Sequence, residues 1–202
     1  MRHIRPKTYV TASALGLLVL AFVACNPVEN KTKSASLLVV ENLLGIDLDG
    51  NEVNFLQSDV IIQDPDTGAV AWRGDAAKAT LSASTLDPDP KLGVSSYEDV
   101  QVTRYVVSYI RPDGKNVQGK DVPYSFEGNL SVLVRIGQAS TASIVVVREV
   151  AKQEPPLVNL QNADRGDVLN MTIRVDFYGH DMANRAVQAT GYLPVFFANY
   201  GN

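Results

Sequence analysis

The chain has 202 residues, of which 18 are Lys or Arg and 22 are Asp or Glu, for a formal charge of −4. An acidic balance excludes a protein that grips nucleic acid by neutralising phosphates, and equally a polybasic surface for anionic lipid. A single cysteine, Cys25, excludes any disulfide within the chain, and two histidines, His3 and His180, are too few to build a zinc site.

Arg2, Arg5 and Lys7 give the chain a positive start, and residues 12–24 follow as an apolar run of about 13, within the roughly 7–15 of a signal-peptide core. Crossing a bilayer as a helix takes about 20 apolar residues, so the run is too short to span. Leu20-Ala21-Phe22-Val23-Ala24 leads into Cys25, with small residues where a membrane peptidase must seat the chain. This junction resembles the lipobox of bacterial lipoproteins, with Phe22 where leucine is usual. The resemblance implies that residues 1–24 form a signal-peptide helix that is removed and that Cys25 is acylated. It places the protein in the bacterial cell envelope, lipid-anchored to the outer membrane or a periplasmic face. A free thiol in an oxidising compartment is a liability that acylation removes. Processing takes away three basic residues and no acidic one, which moves the formal charge from −4 to −7. Residues 25–34 are polar and aperiodic beyond the cysteine and read as a lipidated, flexible tether; residues 35–202 read as one domain.

Strand signals fill that domain. Ser36-Leu37-Leu38-Val39-Val40 opens the series, Val60-Ile61-Ile62-Gln63 follows, and residues 78–86 alternate small or apolar with polar side chains. Asp49-Gly50-Asn51, Asp64-Pro65-Asp66-Thr67-Gly68 and Asp87-Pro88-Asp89-Pro90 supply the turns. Over residues 97–110, Val100, Val102, Tyr105, Val107 and Tyr109 recur mostly at every second position, with a register shift at Arg104, and this predicts a half-buried strand. Arg111-Pro112-Asp113-Gly114 ends it, and strands over 130–136, 143–147, 168–177 and 186–195 complete the set. No window carries a capped 3.6-residue apolar period, so little helix is expected. The pattern predicts an all-β fold, an antiparallel two-sheet sandwich, with a barrel as the alternative. Val107 and Val175 should face its core, Trp72 should be the core aromatic, and residues 151–156 should cross between the sheets.

Arg104-Tyr105-Val106-Val107-Ser108-Tyr109, Asp113-Gly114-Lys115-Asn116-Val117 and Gly119-Lys120-Asp121-Val122-Pro123-Tyr124-Ser125-Phe126 resemble a segment of poorly characterised bacterial lipoproteins with immunoglobulin-like folds. Phe177-Tyr178-Gly179-His180-Asp181, Gly191-Tyr192 and Phe197-Ala198-Asn199-Tyr200 resemble the last hairpin of such a domain. The resemblance implies an immunoglobulin-like sandwich and no activity.

Candidate chemistry is sparse. His180, the histidine left after processing, reads as an exposed residue in a Gly-Asp connection between strands, and no Gly-x-Ser-x-Gly elbow supplies a nucleophile beside it. Asp47, Asp49 and Asn51, then Asp64 with Asp66 and Asp87 with Asp89, offer oxygens of the kind calcium takes, but Glu52 stands where an EF-hand loop needs glycine. Such residues also populate turns for their own backbone hydrogen bonds. Glu41, Glu98 and Glu127 are scattered over different segments rather than paired for glycoside hydrolysis. Arg73-Gly74-Asp75 and Arg165-Gly166-Asp167 resemble integrin-binding tripeptides but fall where turns need Gly and Asp anyway.

The sequence therefore points to a non-enzymatic structural or binding module with no catalytic residue, cofactor or metal. It is held on the membrane by a lipid at Cys25, and its expected partners are an envelope protein or a glycan, not nucleic acid. The alternative is an envelope hydrolase or carbohydrate-active protein using loop carboxylates. Mass spectrometry of membrane-extracted protein should find an acylated Cys25 at the new N-terminus. Cys25→Ser should release the chain from the membrane, and a Cys25→Ser protein that stays bound after signal cleavage would contradict the lipid anchor.

Overall fold

The computed structural model describes residues 34–200 apart from positions 65, 88, 92 and 163–166. The expected signal helix, Cys25, tether residues 26–33 and Arg165-Gly166 lie outside the described residues. The strands are β1 (Ser36–Ile46), β2 (Glu52–Val53), β3 (Leu56–Asp59), β4 (Ile62–Gln63), β5 (Val70–Ala71), β6 (Asp75–Thr85), β7 (Val100–Ile110), β8 (Phe126–Val134), β9 (Ala139–Val147), β10 (Leu169–Asp181) and β11 (Ala186–Ala198). Among the described residues, helix is confined to the single turn α1 (Glu149–Lys152) and to 3-10 turns at Ser96–Glu98 and Leu157–Leu160.

The fold is an all-β sandwich. One sheet runs β2-β1-β6-β9 and the other β3-β11-β10-β7-β8, with β4 and β5 forming a separate ribbon. The neighbours β1-β6-β9 and β11-β10-β7 match the A-B-E and G-F-C orders of immunoglobulin-like sandwiches. One pairing departs from the wholly antiparallel expectation: β3 lies parallel to β11, Leu56 opposite Val195 and Asp59 opposite Ala198. The chain runs back from β1 through β2, reverses at residues 54–55 while changing sheets, and so climbs beside β11 in the same direction. Of the predicted strand over Val60-Ile61-Ile62-Gln63 only Ile62–Gln63 is extended in a ladder, in the small ribbon, and the strand that joins the sandwich here is the preceding Leu56–Asp59.

Period-two patterning sets the core. Val107 and Val175 are direct cross-strand partners, both at 0% exposure, as the alternation predicts. β6 contributes Ala77, Ala79 and Leu81, and the facing sheet contributes Tyr105, Tyr109, Phe177, Leu193 and Phe197, so small side chains in one layer share a core with large ones in the other. Two tyrosines of β7 also bind the opposite sheet through their hydroxyls. Tyr109 donates to the Val146 carbonyl at 2.8 Å, and Tyr105 accepts from the Val145 amide at 3.3 Å. Gly128 makes room for the second of these, because a Cβ there would fall 2.3 Å from the Tyr105 ring. The register shift expected at Arg104 is present in the pairing of β7 with β8, between Val102 and Arg104.

Two expectations are corrected. Trp72 is half-buried outside the core cluster, because residues 72–74 connect the β4-β5 ribbon to β6 rather than running in a central strand. His180 is not in a turn: it lies in β10, half-buried and paired with Ala186 and Gln101, because the strand continues to Asp181. The reversal is made by residues 182–185, with Asn184 at φ 62°.

The two ends of the sandwich differ. At one end the chain enters at Ser34, whose buried hydroxyl donates to Asp181 at 2.7 Å and accepts from the Ser36 amide at 2.9 Å. At the other end residues 148–168 cross from β9 to β10 and so change sheets, as expected of 151–156. Trimming Val107 or Val175 to alanine should each cost about 1–3 kcal/mol in denaturant unfolding, from lost methyl burial and the cavity left behind. Losses below about 0.5 kcal/mol at both sites, the scale of surface substitutions, would show that this register is wrong.

Candidate functional site

The turn carboxylates proposed for calcium or hydrolysis are engaged in shaping their own loops. Asp47 accepts from the Asn51 amide at 2.7 Å and from its side chain at 3.1 Å, and these bonds hold its carboxyl below the usual carboxylate range. Asp64 accepts from the Asp66 and Thr67 amides and is likewise lowered, with Thr67 the larger cause, and Asp87 accepts from the Asp89 amide. Glu98 closes a capping box by accepting from the Ser95 amide, Glu127 pairs with Arg104, and Glu41 is exposed on β1. The structure does not bring these three glutamates together as a pair for acid-base work. Among the described residues, no group of three or more His, Cys, Asp or Glu is arranged to hold a metal.

Arg73-Gly74-Asp75 is put to structural use. Gly74 packs so tightly that a Cβ would lie 3.0 Å from the Val147 carbonyl oxygen, and Asp75 opens β6 with its carboxyl turned inward. There it meets Lys152, the last residue of α1 and only 2% exposed. The Lys152 Nζ lies 3.2 Å from Asp75 Oδ1, 3.0 Å from Oδ2 and 2.7 Å from the Asp59 carbonyl oxygen, while Ser58 donates to Oδ2 at 2.6 Å. Burial pushes the Asp75 carboxyl up, against the opposing pull of the Lys152 charge, and pushes the neighbouring Asp59 up as well. The Tyr109 phenol is raised for the same reason, with the Asp75 charge adding to it.

The outer face of the second sheet carries a concentration of polar and aromatic side chains. Strand parity directs Val175, Phe177 and Leu193 inward and Arg174, Tyr178 and Tyr192 outward. Tyr178 pairs across the ladder with Arg104 on β7 and Gln188 on β11, and Arg174 pairs with Tyr192. The Arg104 guanidinium lies over the Tyr178 ring, 4.1 Å from its centroid, and reaches Glu127 at 3.3 Å. Arg174 donates twice to Asp176 Oδ1, at 3.1 and 2.9 Å, and Thr190 donates to the same oxygen. Tyr192 is 57% exposed. A groove of about 280 Å³ runs beside Tyr178, with Thr103, Arg104, His180 and Gln188 among its lining residues. Both arginines are matched by carboxylates, so the face combines two tyrosine rings with planar hydrogen-bonding groups and little net charge. Such an arrangement can stack against a flat apolar surface and bond to hydroxyls around its rim.

Neither a protein-family model nor a curated protein sequence matches this chain.

In the sequence Arg104 marks a register shift and Tyr178 and Tyr192 belong to the segments that resemble a last hairpin, with no binding role attached to them. Their parity relative to Val175 and Phe177 would have marked the tyrosines as outward. Nothing in the local pattern marks Lys152 as buried. Removing one partner of a buried pair leaves the other charge uncompensated, so Asp75→Ala should cost about 3–5 kcal/mol in equilibrium unfolding. Replacing both partners with apolar residues, Asp75→Leu with Lys152→Met, should cost less than Asp75→Ala alone. The reverse order would contradict the role assigned to the node.

Proposed function

We propose that this chain is a lipid-anchored, non-enzymatic binding module of the bacterial cell envelope that recognises a neutral glycan through the outer face of its second sheet. The observation that carries this reading is the pair of outward tyrosines, Tyr178 and Tyr192, set among arginines already matched by Glu127 and Asp176. A sugar ring offers an apolar face of C–H groups for stacking and hydroxyls for bidentate hydrogen bonds, and it needs no strong opposing charge. Neutral Gln188 and Thr190 on β11 supply further donors and acceptors at the rim.

The anchor is the acylated Cys25 expected from the lipobox resemblance. The chain enters the sandwich at the Ser34 end, away from α1, and the broad sheet face is built of β7, β10 and β11. A rigid face of this kind loses little conformational freedom on binding, because the ladder β7-β10-β11 already fixes its side-chain spacing.

Screening the protein against immobilised envelope and exopolysaccharide fragments is the direct test. One class of neutral oligosaccharide should be retained, and Tyr178→Ala and Tyr192→Ala should each weaken retention about tenfold or more, equivalent to about 1.4 kcal/mol. Retention unchanged by both substitutions, in proteins whose folding is intact, would overturn the reading. So would turnover of the oligosaccharide that depends on a loop carboxylate.

A further inference from the structure

The Lys152 node lies apart from the proposed binding face and has chemistry of its own. A primary amine and a carboxyl group are held in contact, shielded from water, with a hydroxyl donor on one carboxyl oxygen and a carbonyl acceptor on the amine. We propose that Lys152 and Asp75 become joined by an intramolecular isopeptide bond, formed spontaneously once the sandwich has closed.

The geometry places the reacting groups in range. Nζ is 3.0–3.2 Å from both oxygens of Asp75, so it stands against the carboxyl group at the separation from which oriented reactants proceed. In bulk water an ammonium and a carboxylate do not condense, since each is charged and hydrated. Here the Lys152 side chain is 2% exposed and that of Asp75 10%, so little water intervenes, and the proposed reaction starts with one proton passing across the contact from Nζ to Oδ1, which gives a neutral amine and a carboxylic acid. The amine lone pair then forms the N–Cγ bond. Negative charge developing on Oδ2 is met by the Ser58 hydroxyl, already donating to that oxygen. A second proton passes from the nitrogen to Oδ1, the Cγ–Oδ1 bond breaks, and water leaves. The balance is complete within the site: ammonium and carboxylate give an amide and one water, with no oxidant, reductant or co-reactant.

The product fits the same surroundings. Its N–H keeps the bond to the Asp59 carbonyl, and its carbonyl oxygen keeps the bond from Ser58, so the amide has both its donor and its acceptor satisfied from the start. A buried pair of charges is replaced by one neutral group. The link ties the start of β6 in the first sheet to the connection leading into β10 in the second. It would restrict the unfolded chain much as a disulfide does, in a sequence whose single cysteine cannot form one internally.

Tryptic digestion of the denatured full-length protein followed by mass spectrometry decides the matter. The bond should appear as a branched product joining residues 74–78 to residues 149–165, one water lighter than the two peptides together and uncut after Lys152. Lys152→Arg keeps a cation at this site but lacks the amine, and should yield the unlinked peptide 74–78. Recovery of free 74–78 and 149–152 as the dominant products of the wild-type chain would overturn the proposal.

Discussion

Lys152 brings an amine into a region where it is only 2% exposed, and the fold tolerates it because Asp75, Ser58 and the Asp59 carbonyl converge on it. Those groups come from separate stretches of chain: β3 supplies Ser58 and Asp59, β6 supplies Asp75, and α1 supplies the lysine. Each stretch is held where it is by what it offers the others. The parallel pairing of β3 with β11 places Ser58 beside Phe197 and Asp59 beside Ala198, and the tight passage at Gly74 turns Asp75 inward as β6 begins. With α1 fixed, the connection between β9 and β10 is held at its first turn. Gln161 adds a further tie by donating to the Lys152 carbonyl at 3.0 Å, and Asn199 donates in turn to Gln161. Polar convergence of this kind is costly if any member is missing, which makes it a strong specifier of one arrangement.

The centre of the sandwich depends on different forces. Apolar burial by alternating residues dominates there, with the hydroxyls of Tyr105 and Tyr109 adding directional bonds from β7 to β9 in the other sheet. At the end where the chain enters, Asp181 accepts from Ser34 and from the Arg185 amide, and Asp99 accepts from the Ile136 amide. The outer face of β7, β10 and β11 is thus supported from beneath by a packed core and from both ends by polar anchors. A face so supported can hold Tyr178, Tyr192 and their arginine neighbours at fixed spacing, as a module that selects a partner by shape requires.

Much of this architecture was legible in the sequence because its determinants are local. Alternation over residues 97–110 located β7, its register shift and the inward set that includes Val107, and the turn chemistry of Asp, Gly and Pro marked most strand ends. Trp72 was misplaced because a large aromatic in a short apolar run looks like core, whereas the run belongs to a two-residue strand in a side ribbon. His180 was misplaced because Gly179 and Asp181 resemble turn residues. Gly179 is in fact required by close packing inside the sheet, where a Cβ would fall 2.2 Å from the Gln101 carbonyl oxygen. The Lys152 node was invisible, since Ser58, Asp75 and Lys152 are far apart along the chain and none breaks its local pattern. Only tertiary contact gives those residues their chemistry.

The central functional claim is that recognition occurs on the sheet face rather than at the loops, and residue-level mapping tests it most directly. Amide and side-chain NMR shifts recorded while a retained oligosaccharide is titrated into the isotope-labelled domain should move at Arg104, Arg174, Tyr178, Gln188 and Tyr192. Residues around Lys152 and the turn at Asp47 to Asn51 should stay still. Shifts concentrated instead at Asp47, Asp49, Asp59 and Tyr200, which line the groove near the Lys152 end of the sandwich, would contradict the account and move recognition to the loops.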